Sequence, residues 1–214
     1  MEQADPIRVA LRFAAMLDSL NIPYLVGGSL ASSLYGFPRA TQDIDIVAQI
    51  GETHVERLVS ALEGRFYVDK NSVLDAVRRR ASFNIIDNED LYKIDVFIAG
   101  PDNMSQEVIE RRQRHTLADM DGESLYLCSA EDIIVQKLRW FRKGGEVSDR
   151  QWSDVLAVMK VQHGNLDCDY IRRMANAHKV ADLLEKAWAQ ATKCKSLKSL
   201  TTPSPASAGT GNGR

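Results

Sequence analysis

Two aspartates, Asp43 and Asp45, stand two residues apart in the stretch QDIDIV at positions 42–47. Side chains alternate along an extended strand, so both carboxylates point to one face. Their Cα atoms then lie about 7 Å apart, close enough to share divalent cations. Upstream, Tyr24-Leu25-Val26 reads as a short buried strand that runs into the turn Gly27-Gly28-Ser29 and a small-residue helix over 30–35. The glycines let the backbone turn tightly and approach a ligand, and a helix N-terminus offers free N–H groups to a phosphate. A third acid, Asp95, sits inside the apolar triplet Ile94-Asp95-Val96. Each piece alone is ordinary: Asp-Ile-Asp-Ile is most often an amphipathic strand, and Gly-Gly-Ser a turn. Together they put an acidic pair for metal and an anion cradle for phosphate within one strand–helix–strand unit. Oxygen-only ligands favour a hard cation such as Mg²⁺, with Mn²⁺ as a substitute.

Val26-Gly27-Gly28-Ser29 followed by Asp43-Ile44-Asp45-Ile46, with Asp95 in its apolar triplet, resembles the active-site signature of the DNA polymerase β-like nucleotidyltransferase superfamily. The stretch Arg39-Ala40-Thr41-Gln42-Asp43 is similar to its small stand-alone bacterial branch, which includes minimal nucleotidyltransferases and abortive-infection toxin enzymes. A weaker similarity runs on from Ser129 to Trp188. The resemblance implies an α+β fold, with a mixed sheet flanked by helices followed by a C-terminal helical region. It implies that Asp43, Asp45 and Asp95 are catalytic and bind metal, with Asp43 and Asp45 on both ions and Asp95 on the ion that activates the acceptor hydroxyl. Gly27, Gly28 and Ser29 would bind the nucleotide. Arg39 either offsets triphosphate charge or forms a structural ion pair, and Lys137 either lies near the nucleotide or is a solvated helix lysine. The expected reaction is Mg²⁺-dependent transfer of NMP from an NTP to a hydroxyl acceptor, which is RNA (tRNA for instance), protein or a small molecule. A toxin–antitoxin or phage-defence role, with an antitoxin-like protein partner, is a narrower form of that expectation. A non-catalytic nucleotide- or partner-binding module on the same fold is the alternative.

The elements that must position these residues are legible in outline. Asp5-Pro6 reads as an N-cap and a first-turn proline opening a helix to about Leu20, with Val9, Phe13 and Leu17 inward. Thr53-x-x-Glu56 has the pattern of a capping box. Strands are expected over 42–47, 66–68, 82–86, 91–98 and 125–127, with a polar turn at 87–90 joining two of them. Alternation gives Lys93, Asp95 and Phe97 one face of the 91–98 strand and Tyr92, Ile94, Val96 and Ile98 the other. Helices are expected over 72–79 and 104–114, from Ser129-x-x-Asp132 onward, and over 149–161, 167–177 and 180–191, with Trp140, Trp152 and Trp188 knitting the last group together. Arg78-Arg79-Arg80 either faces phosphate or acceptor, or points in several directions at a helix end.

Two hundred and fourteen residues allow one domain or two small ones, and 44% hydrophobic with 26% charged residues is ordinary for a soluble globular chain. The expected division is a nucleotidyltransferase domain at 1–128, a helical region at 129–195 and a Ser/Thr/Pro/Gly-rich disordered tail at 196–214. Residues 1–130 carry 13 Lys and Arg against 20 Asp and Glu, whereas residues 131–199 carry 13 against 9. A basic helical half beside an acidic half is compatible with holding a polyanion, although a solvated helical surface explains it as well. Three scattered cysteines suggest neither a disulfide framework nor zinc. No apolar run approaches a membrane span, and MEQADPIRVALRF lacks a signal pattern, so the expected location is cytoplasmic with no membrane contact.

Overall fold

The computed structural model describes residues 5–117, 120 and 122–198. Helix α1 (Pro6–Ser19) opens as expected: the Asp5 carboxylate accepts from the Ile7 N–H at 2.9 Å, and Val9, Phe13 and Leu17 are fully buried. Strand β1 (Tyr24–Val26) is buried throughout and leads into α2 (Gly28–Tyr35), which starts two residues before the expected Leu30. Strand β2 (Asp43–Ala48), α3 (Glu52–Leu62), β3 (Phe66–Tyr67), α4 (Lys70–Arg79), β4 (Ser82–Asp87) and β5 (Lys93–Ile98) follow.

The sheet exists because β2 and β5 alternate strictly. Ile44, Ile46 and Ala48 on one strand and Ile94, Val96 and Ile98 on the other are buried on one face, leaving the acids on the opposite face. These two strands pair in parallel, while β1–β2, β3–β4 and β4–β5 pair antiparallel. Helices α5 (Asn103–Glu110), α6 (Ala130–Lys143), α7 (Asp149–Val161), α8 (Cys168–Ala177) and α9 (Ala181–Lys198) complete the described residues, with β6 (Gln113–Thr116) and β7 (Ser124–Leu127) between α5 and α6. The seven strands form one mixed sheet in the order β3-β4-β5-β2-β1-β7-β6.

Several expectations are corrected. The helix over 104–114 is in fact α5 followed by the edge strand β6, whose pairing with β7 decides its conformation. Thr53 does not cap α3; Gly51 does, and its N–H donates to the His54 ring at 3.0 Å. Trp140 is nearly half exposed with Lys143 over its ring, so it does not knit the helices together, whereas Trp152 packs on Phe141 and donates to Gln190. Helix α9 runs beyond 191 to Lys198, and the expected disordered tail lies, from 199 onward, outside the described residues. The three arginines serve structure. Arg78 faces Glu52, Arg79 pairs with Asp75, and Arg80 ends α4 in a left-handed conformation and donates to the Ala99 carbonyl.

Candidate active site

The parallel register of β2 and β5 sets Asp45 directly opposite Asp95, and Asp43 opposite Lys93. All four side chains share the face opposite Ile44, Ile46, Ile94 and Val96, because each lies an even number of residues from its strand neighbour. The Gly27 N–H donates to the Asp45 carbonyl at 2.9 Å, which ties the glycine turn to β2. Gly28 has φ +57°, and a Cβ there would lie 1.7 Å from Oδ2 of Asp45. Only glycine fits that conformation and that approach together. The next N–H, from Ser29, hydrogen-bonds the Asp45 carboxylate. Helix α2 has no side-chain cap at Gly27, so its N-terminus opens onto the acids.

Burial pushes the Asp45 carboxyl above the usual carboxylate range. Asp95 and Asp43 add to this, while Lys137 and the Ser29 N–H oppose it. Lys93 offsets part of the charge, with Nζ 2.9 Å from Oδ2 of Asp95 and 3.9 Å from Oδ1 of Asp43. The hydrogen bond to Asp95 raises the pKa of this lysine.

The second half of the site was only partly legible. Arg39 and Lys137 both converge on Ser29, donating to its Oγ at 2.7 Å and 3.4 Å. What holds them there is Asp154 of α7, which no feature of the motif announces. Arg39 grips it through Nε at 2.9 Å and Nη2 at 2.8 Å, and Lys137 reaches Oδ2 at 2.8 Å. Ser32 also donates to Oδ2, at 3.4 Å. Lys137 is buried, which rules out a solvated helix lysine, and Arg39 does make the structural ion pair while also facing Ser29. Burial lowers the Lys137 pKa against the pull of Asp154, whereas Arg39 and Lys137 outweigh burial at Asp154 and hold its carboxyl below the usual range. A sequence signal for this pair did exist. Lys137 lies in the apolar stripe Ile133, Ile134, Leu138 and Phe141, and Asp154 lies in the stripe of Val155 and Val158. A charge inside a buried stripe has to find an opposite charge.

Beside Val47, one pleat along β2 from Asp45, a cavity of about 380 Å³ opens between the sheet and α5, α6 and α8. Leu25, Val47, Met104 and Met174 give it apolar walls, and Gln136 and Arg139 of α6 add polar groups.

Another acidic group has its oxygens within 4.8 Å of one another: Asp87, Glu89 and Asp90 at the β4–β5 turn. Its charge is already met, because Arg12 hydrogen-bonds both Asp87 and Asp90, and the N–H groups of Glu89 and Asp90 donate to Asp87 at 2.9 Å. We read it as a structural knot that fixes the hairpin carrying Asp95.

No family model and no curated protein matches the chain. Solved structures do. An antigenic nucleotidyltransferase-like protein from Paracoccidioides brasiliensis is 19% identical over 84% of this chain and 90% of its own, with a TM-score of 0.50. The antibiotic-resistance factor ANT(2'')-Ia in solution is 15% identical over 87% of this chain and 99% of its own, with a TM-score of 0.52. The same factor in complex with adenylyl-2''-tobramycin is 18% identical over 81% of this chain and 96% of its own, again with a TM-score of 0.52. This is the nucleotidyltransferase fold. On that fold the expected mixed sheet and the helices after it are both present, and the Gly28 turn, the acids and the Ser29 cradle lie on one face.

Proposed function

We propose that this protein is a nucleotidyltransferase that moves NMP from an NTP to an acceptor hydroxyl. The observation that carries the reading is the register of Asp45 against Asp95, with Gly28 pressed onto Asp45 and two cations gathered at Ser29. Asp43, Asp45 and Asp95 offer oxygen ligands only, and the Lys93 ammonium already marks their face as a place for positive charge. By donor chemistry these are the residues that would hold Mg²⁺ or Mn²⁺, which would activate the attacking hydroxyl and neutralise charge developing on the phosphates.

The chain's own groups supply the rest. The N-terminus of α2, the Ser29 hydroxyl, Arg39 and Lys137 form an anion cradle suited to a triphosphate. Asp154 orients both cations before substrate arrives, so little reorganisation is needed on binding. By the same reading, Asp95 is the carboxylate assigned to take the proton from the acceptor hydroxyl. The cavity beside Val47 gives room for a nucleoside or a small acceptor. A hydroxylated small molecule is one acceptor class, since ANT(2'')-Ia is seen with adenylyl-2''-tobramycin; RNA and protein are the others. A toxin–antitoxin or phage-defence role with an antitoxin-like partner is the narrower form of this reading, and a cytoplasmic setting, where NTPs are supplied, goes with it. No described helix is long and apolar enough to cross a membrane. A nucleotidyltransferase domain at 1–128 and a helical region at 129–195 remain our proposed division.

The non-catalytic reading has one observation on its side: Lys93 covers an oxygen of Asp95. Single-turnover labelling separates the two. Purified protein, Mg²⁺, α-labelled NTPs and cell lysate should give a labelled product, and Asp95→Asn should keep nucleotide binding while losing about 10²–10⁴ in rate. Tight Mg²⁺-dependent binding without transfer to any supplied acceptor class would favour the binding module.

A further inference from the structure

Among the described residues, three lysine or arginine side chains reach the candidate site, and they are held in different ways. Arg39 and Lys137 are anchored to Asp154, and Lys137 is almost wholly buried. Lys93 is not anchored in this sense. Its ion-pair partners are Asp95 and Asp43, two of the three acids themselves, and its side chain is 45% exposed. It sits at the first position of β5, opposite Asp43 in register and two residues before Asp95, so the strand geometry itself delivers an ammonium onto the acidic face. The oxygens of Asp43, Asp45 and Asp95 do not all lie within 4.8 Å of one another, and Oδ2 of Asp95 is turned to Lys93.

We infer that Lys93 is a tethered counter-ion on the acidic face that competes with the divalent cation for Asp95 and thereby sets metal affinity. This rests on the metal-dependent reading above. A half-exposed lysine–carboxylate pair is weak, and a lysine is a compact charge on a flexible stem, so a divalent cation displaces it without disturbing the fold. Until that happens, the ammonium spares three carboxylates on one face their mutual repulsion. The site therefore has two fixed cations for phosphate and one displaceable cation for the metal face.

The test is Mn²⁺ binding to the full chain without nucleotide, read by loss of the free-ion paramagnetic signal, in wild type, Lys93→Met and Lys93→Arg. Removing the competing charge should tighten Mn²⁺ about tenfold in Lys93→Met, while Lys93→Arg, which keeps the charge, should stay near wild type. A second readout needs no bound metal: in EDTA, Lys93→Met should melt below wild type, and saturating Mn²⁺ should close or reverse that gap. Equal or weaker Mn²⁺ binding by a folded Lys93→Met would overturn the proposal and leave the metal reading standing. No Mn²⁺ binding by wild type or either variant at millimolar ion would overturn both.

Discussion

At the scale of single residues, Asp154 organises more of the site than its place in the sequence suggests. It holds Arg39 and Lys137 at Ser29, and Lys137 has no other carboxylate in ion-pair range among the described residues. Truncating it by Asp154→Ala should cost about 3–5 kcal/mol in urea unfolding, because a buried ammonium is left without its partner. Replacing the pair together, Asp154→Leu with Lys137→Met, should recover much of that stability and still fail to bind NTP by calorimetry. Such a result would separate the pair's structural contribution from its proposed role at the phosphates. Gly28→Ala tests the other end of the cradle. Its Cβ would have to displace the Asp45 carboxylate, and the left-handed backbone adds about 1–2 kcal/mol of strain. We expect nucleotide affinity to fall by more than the melting temperature would suggest. The motif residues were legible because their spacing is local, within one strand–helix–strand unit. For Asp154 the sequence signalled only a charge in a buried stripe, since its partners lie 115 and 17 positions away and no short pattern joins them.

At the scale of elements, the hairpin of β4 and β5 is what brings Asp95 to β2, and Asp87 is what fixes its turn. Asp87 is fully buried. Burial pushes its pKa up, but the N–H groups of Asp90 and Glu89 and the Arg12 guanidinium outweigh this and hold it below the usual range. A carboxyl whose folded pKa is depressed adds stability at pH above its unfolded value, about 4, and loses it as pH falls through the folded value. Asp87→Asn should therefore destabilise the protein at pH 7, and the gap from wild type should narrow between about pH 4 and lower pH in urea titrations. A gap that stays constant with pH would mean that Asp87 acts by shape alone. Strands with clean alternation, β2 and β5 above all, could be read from sequence to within a residue or two. Strand β6 could not: Gln113-Arg114-His115-Thr116 is exposed or half-buried at the sheet edge, with no apolar face to give it a period. Its conformation comes from β7, a neighbour that local propensity cannot see. The His54 cap of α3 escaped for a similar reason, since a ring nitrogen took the place of the expected carboxylate.

At the scale of the molecule, the helical region contributes to the candidate site. Lys137 comes from α6 and Asp154 from α7, whereas Ser29 and Arg39 belong to the sheet half. One hydrophobic core runs through both halves, from Val9 and Ile44 to Ile171 and Leu184. We expect a single cooperative melting transition by calorimetry, shared by near-ultraviolet signals from Trp152 and Trp188 and by far-ultraviolet helicity. NTP with Mg²⁺ at about a hundred times its Kd should add about 2.7 kcal/mol. Two resolved transitions, with ligand moving only one, would show that the halves unfold separately. The start of α6 was read from sequence by the capping residues Ser129 and Asp132, and the cap is present. That the two halves share their charges was not visible, because only packing shows which buried lysine meets which buried aspartate.

The length of chain between Arg39 and Asp154 also fixes when the cradle can exist. Contacts this distant in sequence close late, after the entropy of a long loop has been lost. During synthesis at about 5–20 residues per second, roughly ten seconds pass between the emergence of Ser29 and that of Asp154. For that interval the nascent chain holds the glycine turn and, soon after, the acids, but lacks the carboxylate that gathers the cations at Ser29. On the proposed function, competence to grip a triphosphate arrives with the last third of the protein, and a ribosome that stalls earlier releases a product unable to do so.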